Sequence, residues 1–217
     1  MSDPRWLAVH PGFARLSVGV LEGDQWVWKD SAPGAVLNGL FPLLDRLKLE
    51  TGLTPSEMEG VLLQRGPAPA LGLRVACSFY RTLRVVGGAG DLWSYSSLEL
   101  AAARLLLEGE PPPLRVWAPV GRGHWRVLPV ATAEPPWSEE QSDEGPRESR
   151  DVVLEHPRIE PAGVRVVPDD LDALARARVR YPALFRRGMG AWEKVALSTA
   201  SYRRWEGERH GKEPSPH

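Results

Sequence analysis

Residues 62–86, LLQRGPAPALGLRVACSFYRTLRVV, decide the fold. The run GVLLQ at 60–64 is short, apolar and unbroken, which predicts a buried strand. Arg65-Gly66-Pro67 turns the chain, and a helix is predicted from about Leu71 to Val86, stopped by Gly87 and Gly88. Strand, Gly/Pro loop and helix in that order make an anion-cradling loop, because the first amides of a helix have no partner within it. Yet the tip, Ala68-Pro69-Ala70-Leu71, has no hydroxyl and no glycine. Pro69 removes one amide, and Leu71 cannot cap. Gly66, Pro67 and Gly72 still fix the turn, so the loop keeps a structural role while losing most of its binding chemistry.

Upstream, RWLAVH (5–10), ARLSVGVL (14–21) and QWVWKD (25–30) are joined by Pro11-Gly12 and Glu22-Gly23-Asp24. Leu16, Val18 and Val20 alternate with Arg15, Ser17 and Gly19, the period of a half-buried strand, so the three form an antiparallel meander. Residues 36–50 carry Leu37, Leu40, Leu44 and Leu47 on one helical stripe, with Pro42 inside it. Thr54-Pro55-Ser56-Glu57 reads as a capping box on a short turn. Downstream come a strand at 92–95 and a second capping box, Ser96-Ser97-Leu98-Glu99, opening a helix over 98–109. Glu110-Pro111-Pro112-Pro113 marks a lobe boundary. A hairpin (114–120 and 124–131), a polar and acidic segment at 133–150 expected to be a mobile loop, a strand at 163–167 and a helix at 168–178 follow. The expected domains are an N-terminal lobe over 1–109, a smaller C-terminal αβ lobe over 114–205 and a loose tail over 206–217.

Composition narrows the function. Lys plus Arg number 27 against 28 Asp plus Glu, a net charge of -1, which gives no support to strong direct nucleic-acid binding through bulk charge. The single cysteine excludes an internal disulfide framework and fits a reducing compartment. No signal peptide or bilayer-length apolar run is evident, so a cytoplasmic protein that binds no membrane is expected. Cys77 sits among apolar residues and reads as a small buried hydrophobe rather than a nucleophile. His10, His124 and His156 fit no metal-ligand spacing. Glu139-Glu140 and Asp169-Asp170 read as solvated charge and helix-start acids.

The element order suits an α/β protein of the ribonuclease-H-like, actin-like ATPase superfamily: two lobes, a mixed sheet with flanking helices and a reduced C-terminal lobe. Residues 60–107 are more specific. Arg65-Gly66-Pro67, Gly72-Leu73-Arg74 and Ser96-Ser97-Leu98-Glu99 with Ala101 resemble the TsaB (YeaZ) family, which carries R-G-P-G-S-F-T-G-L-R and then V-S-S-L-E-A-L-A. Residues 6–21 and 40–61 are similar to its first hairpin and to the segment leading into the loop, and 116–130 and 200–205 match more loosely. The resemblance implies a non-catalytic scaffold subunit. It would pair with the catalytic TsaD-like subunit and a TsaE-like ATPase to make threonylcarbamoyladenosine on tRNA.

Against that pattern the chain has His10-Pro11-Gly12 for Asp-Thr-Ser, nothing in 33–40 for the family's His-Ser pair, and Ala68-Pro69-Ala70-Leu71 for Gly-Ser-Phe-Thr. Neither ATP, ADP nor magnesium is therefore expected as a cofactor, and no residue is expected to be catalytic. The degenerate anion loop comprises Gly66, Pro67, Gly72, Leu73 and Arg74. Apolar positions wrap most of the 71–86 helix, which points to a cover on two sides. A partner interface is expected at Leu40, Leu44, Leu71, Val75, Phe79 and Leu83, used for homodimerisation alone and for the TsaD-like subunit when present. The alternatives are a weak nucleotide-binding actin-like ATPase or kinase, and a diverged paralogue with another partner.

Overall fold

The alternation in residues 14–21 builds the expected meander in a computed structural model, which describes residues 3–188 except 35, 89, 122, 149, 158 and 160–162. β1 (Arg5–Pro11), β2 (Arg15–Glu22) and β3 (Gln25–Pro33) are antiparallel neighbours. β4 (Gly60–Gln64) lies parallel to β1, and β5 (Asp91–Tyr95) parallel to β4. β11 (Arg186–Arg187) closes the sheet antiparallel to β5, giving the order β11-β5-β4-β1-β2-β3. Side chains alternate faces along each strand. Leu7, Val9, Val61 and Leu63 pack on α1 (Val36–Thr51) and α2 (Ala70–Val85). Ala8, Leu62 and Tyr95 pack on the opposite side, against α3 (Ser97–Leu107).

The second sheet has the order β10-β9-β6-β7-β8, from β6 (Leu114–Pro119), β7 (Trp125–Val130), β8 (Glu140–Ser142), β9 (Asp151–Leu154) and β10 (Arg165–Val167). α4 (Leu174–Arg180) packs on α3. Between the sheets lies α3, buried nearly all round. Val116, Ala118 and Leu128 of the second sheet share one hydrophobic cluster with Ala8 and Leu62 of the first. The two lobes therefore share the core around α3, while a separate cluster lies between the first sheet and α1 and α2.

Several expectations change. Residues 133–150 are not a loose loop: β8 pairs with β7, and Trp137 is buried, with its indole N–H donating to the Thr132 carbonyl at 3.1 Å. β9 was not anticipated, because its apolar run, Val152-Val153-Leu154, is only three residues and follows polar sequence. β11 returns the chain to the first sheet, so residues 186–187 do not belong with the second lobe. The helix expected at 168 begins at Leu174, and the acids before it lie in a turn. The segments 200–205 and 206–217 lie outside the described residues.

Candidate functional site

Three parallel strands, β1, β4 and β5, end on one edge of the first sheet, the edge at which open α/β sheets form their crevice. Strand alternation puts His10, Gln64 and Tyr95 on the face toward α3 and the second lobe. All three are buried. The His10 ring meets Asp169 Oδ1 through Nε2 at 2.8 Å and the Tyr95 hydroxyl through Nδ1 at 3.0 Å. A carboxylate only accepts, so Nε2 carries the proton toward Asp169. Asp169 Oδ2 also accepts the Phe13 amide at 3.1 Å. Burial pushes the Tyr95 phenol well above its ordinary value, and Asp169 and Asp170 push it further, so the hydroxyl keeps its proton.

Asp169 comes from the second lobe, so this chain of hydrogen bonds ties the lobes together across the strand ends. The fit is close. A Cβ on Gly12 would lie 2.7 Å from the Asp169 carbonyl oxygen, so only glycine admits the turn before α4. Asp169 and Asp170 are therefore not simple helix-start acids: Asp169 is engaged by His10 on β1 and by Phe13 in the turn after it, and Asp170 Oδ1 accepts the Asp172 amide at 2.9 Å and Arg104 at 3.4 Å.

The anion loop is filled from the same side. A Cβ on Gly72 would sit 3.0 Å from Pro11 Cβ, so Pro11 packs on the first turn of α2. Pro69 holds the N-cap position and makes no side-chain capping bond. The loop's carbonyls are used internally. Pro67 O accepts Gln64 Nε2 at 3.1 Å and Ser97 Oγ at 2.8 Å, and Gly66 O accepts the Ser97 amide at 3.0 Å. Gly66, Pro67 and Gly72 are thus brought together as a braced turn, Leu73 lies in the core, and Arg74 is half-buried. A magnesium nucleotide needs oxygen ligands and open amides. An imidazole committed to a carboxylate and two prolines do not fit it. Among the described residues no group of three metal-ligating side chains occurs.

Beside the loop opens a polar cavity of about 340 Å³, lined by Arg65, Glu99, Arg126, Trp137, Glu139 and Arg186 among others. The Ser96–Glu99 pattern read as a capping box is diverted into it. Ser96 Oγ donates to Glu139, and Glu99 accepts from Arg65 and, at 3.1 Å, from Arg186. Arg126 reaches Glu139 at 3.0 Å. Glu139 is therefore not solvated charge. Burial pushes the Glu99 carboxyl up while Arg65 and Arg186 pull it down, and burial lowers the Arg65 guanidinium against the pull of Glu99. The signal was present in the sequence, but a serine three residues before a glutamate has two uses, and only tertiary structure separates them.

On the far face, the expected interface residues divide. Leu40, Leu44 and Leu83 are core, packed under the first sheet, and cannot line an outer surface. Val75 and Phe79 are half-buried against that core, and Leu71 is 59% exposed. Leu37, placed on the core stripe by sequence, is also 59% exposed, and Phe41, which the sequence reading missed, is 60% exposed. Gly72 lies against Val36 and the Phe41 ring stands edge-on to Phe79 at 6.5 Å, so α1 and α2 run side by side in the same direction. Leu37, Phe41 and Leu71 stand out from this pair. The signal was the Leu37–Phe41 spacing, a second i,i+4 row beside the core row.

A two-lobed α/β protein of the ribonuclease-H-like, actin-like ATPase fold is what this topology and strand-edge crevice define. Within that class the chain has the fold of YeaZ from Pseudomonas aeruginosa. It superimposes with a TM-score of 0.58 at 17% identity, covering 81% of this chain and 92% of that one. A second structure, described as an uncharacterized protein with similarity to peptidase YeaZ from Pseudomonas aeruginosa, gives TM-score 0.58 and 17% identity over 82% and 93%. No protein-family profile matches the chain, and no curated protein sequence does. Among the described residues no helix is long and apolar enough to cross a membrane.

Proposed function

We propose that the chain is a TsaB-like scaffold subunit that performs no chemistry itself and supports a TsaD-like enzyme in forming threonylcarbamoyladenosine on tRNA. The observation that carries the non-catalytic half is the closed strand edge. Where an actin-like ATPase needs an acid, hydroxyls and free amides, this chain has His10 bound to Asp169 and Tyr95, with Pro11 seated on α2. The docking half is supported by the exposed apolar side chains of α1 and α2, which need a cover. Alone, that cover is a second copy; with the enzyme present, it is the TsaD-like subunit, and a TsaE-like ATPase joins the pair.

The test is a reconstituted tRNA-modification reaction containing TsaD-like and TsaE-like subunits, run with and without this chain. Product that forms only when the chain is present is the expected result. Equal product in its absence would overturn the scaffold reading. Calorimetry of magnesium ATP into the isolated chain addresses the competing ATPase reading. No saturable heat is expected, whereas micromolar binding, about -8 kcal/mol, would revive an enzyme.

A further inference from the structure

The polar cavity beside the Arg65 loop has more donors than its own carboxylates can use. Arg65 follows β4, Arg126 lies on β7 and Arg186 on β11, so both sheets supply arginines to one space of about 340 Å³. Glu99 and Glu139 are the carboxylates that face them. Three guanidinium charges against two carboxylates leave one positive charge.

Each guanidinium carries five N–H groups in a fixed fork. Arg65 spends one nitrogen on Glu99 and another, at 3.4 Å, on the Ser94 carbonyl. Arg126 spends Nη1 on Glu139, and Arg186 spends Nη2 on Glu99. Among the described residues, Nε and Nη2 of Arg126 and Nε and Nη1 of Arg186 have no acceptor. The frame behind them is fixed: Glu99 is 2% exposed, the Arg65 side chain 13% exposed, and Trp137 is buried at the wall. The anchoring Arg65–Glu99 pair is buried and the outer forks of Arg126 and Arg186 face solvent, so the frame is set before any ligand arrives.

We propose that this cavity binds a singly charged oxyanion, a carboxylate or phosphodiester group on a small molecule, held between the Arg126 and Arg186 forks. The charge balance argues for one negative charge, since a dianion would overcompensate next to Glu99 and Glu139. Fork geometry favours a planar or tetrahedral oxyanion over a halide, because two parallel N–H bonds need two oxygens. The site is separate from the filled α2 start and does not depend on which partner covers α1 and α2.

The test uses ¹⁵N-labelled full-length chain and follows the Trp137 indole and arginine Nε resonances. Acetate is titrated as the carboxylate and dimethyl phosphate as the phosphodiester, each against sodium chloride at equal ionic strength. Saturable shifts at those resonances with at least one oxyanion, absent with chloride, are expected. The oxyanion that saturates names the ligand chemistry. Arg186→Gln and Arg126→Gln should each weaken binding at least tenfold while the rest of the spectrum is unchanged. Arg186 is largely exposed, so its variant tests binding without threatening the fold. Shifts that stay linear with both oxyanions, that match chloride, or that persist in both variants would overturn the site.

Discussion

His10 joins two lobes because an imidazole can give a hydrogen to one partner and meet a second, whereas a carboxylate in its place would face Asp169 as a like charge. The account predicts that His10→Ala, which strands the buried Asp169 carboxylate with only the Phe13 amide, costs about 3–5 kcal/mol of stability. Tyr95→Phe leaves the buried Nδ1 of His10 without a partner and should cost about 1–3 kcal/mol. Urea unfolding at pH 7 measures both; equal losses would contradict the ranking. His10 was legible in the sequence as a departure from the Asp-Thr-Ser of the TsaB pattern that the chain resembles. Asp169 was not, because it lies 159 residues away and its pairing depends wholly on how the lobes meet.

Local pattern went furthest for the elements. The meander, the β4–α2 unit and the β6–β7 hairpin were legible because each combines a clear period with a turn signal. β9 was not, yet it is wholly buried between β6 and β10. Its first residue explains how so short a strand is held. Asp151 is buried, and its carboxylate accepts the Arg147 and Glu148 amides at 2.6 and 2.8 Å and Arg115 Nε at 2.7 Å. Burial pushes its pKa up, but the two amides and the guanidinium outweigh that and hold it below the ordinary value. A depressed carboxyl adds stability that is present above the unfolded pKa of about 3.9 and is lost as pH falls through the folded value. Asp151→Asn should therefore cost about 1.5–3 kcal/mol at pH 7, the range for hydrogen bonds to a charged group. The gap to the unsubstituted chain should narrow below about pH 4. Thermal melts from pH 7 to 2 measure it, and a gap that stays constant would show that the charge on Asp151 is irrelevant.

For the whole molecule, α3 and the cluster around it make the lobes one cooperative body rather than two hinged ones. His10–Asp169, Ser96–Glu139, Lys29–Asp172 and Arg15–Glu155 all cross between them. Unfolding should proceed in one transition, with tryptophan fluorescence and far-ultraviolet circular dichroism superimposed. Two resolved transitions would contradict a shared core. The sequence placed the lobe boundary at the proline run but could not reveal this sharing, since an all-round apolar helix such as α3 looks the same whether one lobe or two surround it.

The same view gives the remaining apolar surface its meaning. Leu37, Phe41 and Leu71 form an exposed apolar row, the surface that the proposed scaffold role assigns to its partner. Phe41 is the better probe than Phe79, which also packs against the core. The most direct measurement is light scattering on the chain and on Phe41→Asp, each alone and mixed with a TsaD-like subunit. The unsubstituted chain should be a dimer alone and exchange into a heterodimer with the enzyme. Phe41→Asp, with an unchanged circular dichroism spectrum, should be a monomer that captures no enzyme, because a charge buried in that contact would have to be neutralised or rehydrated. A folded Phe41→Asp chain that still dimerises and still forms the heterodimer would contradict the account.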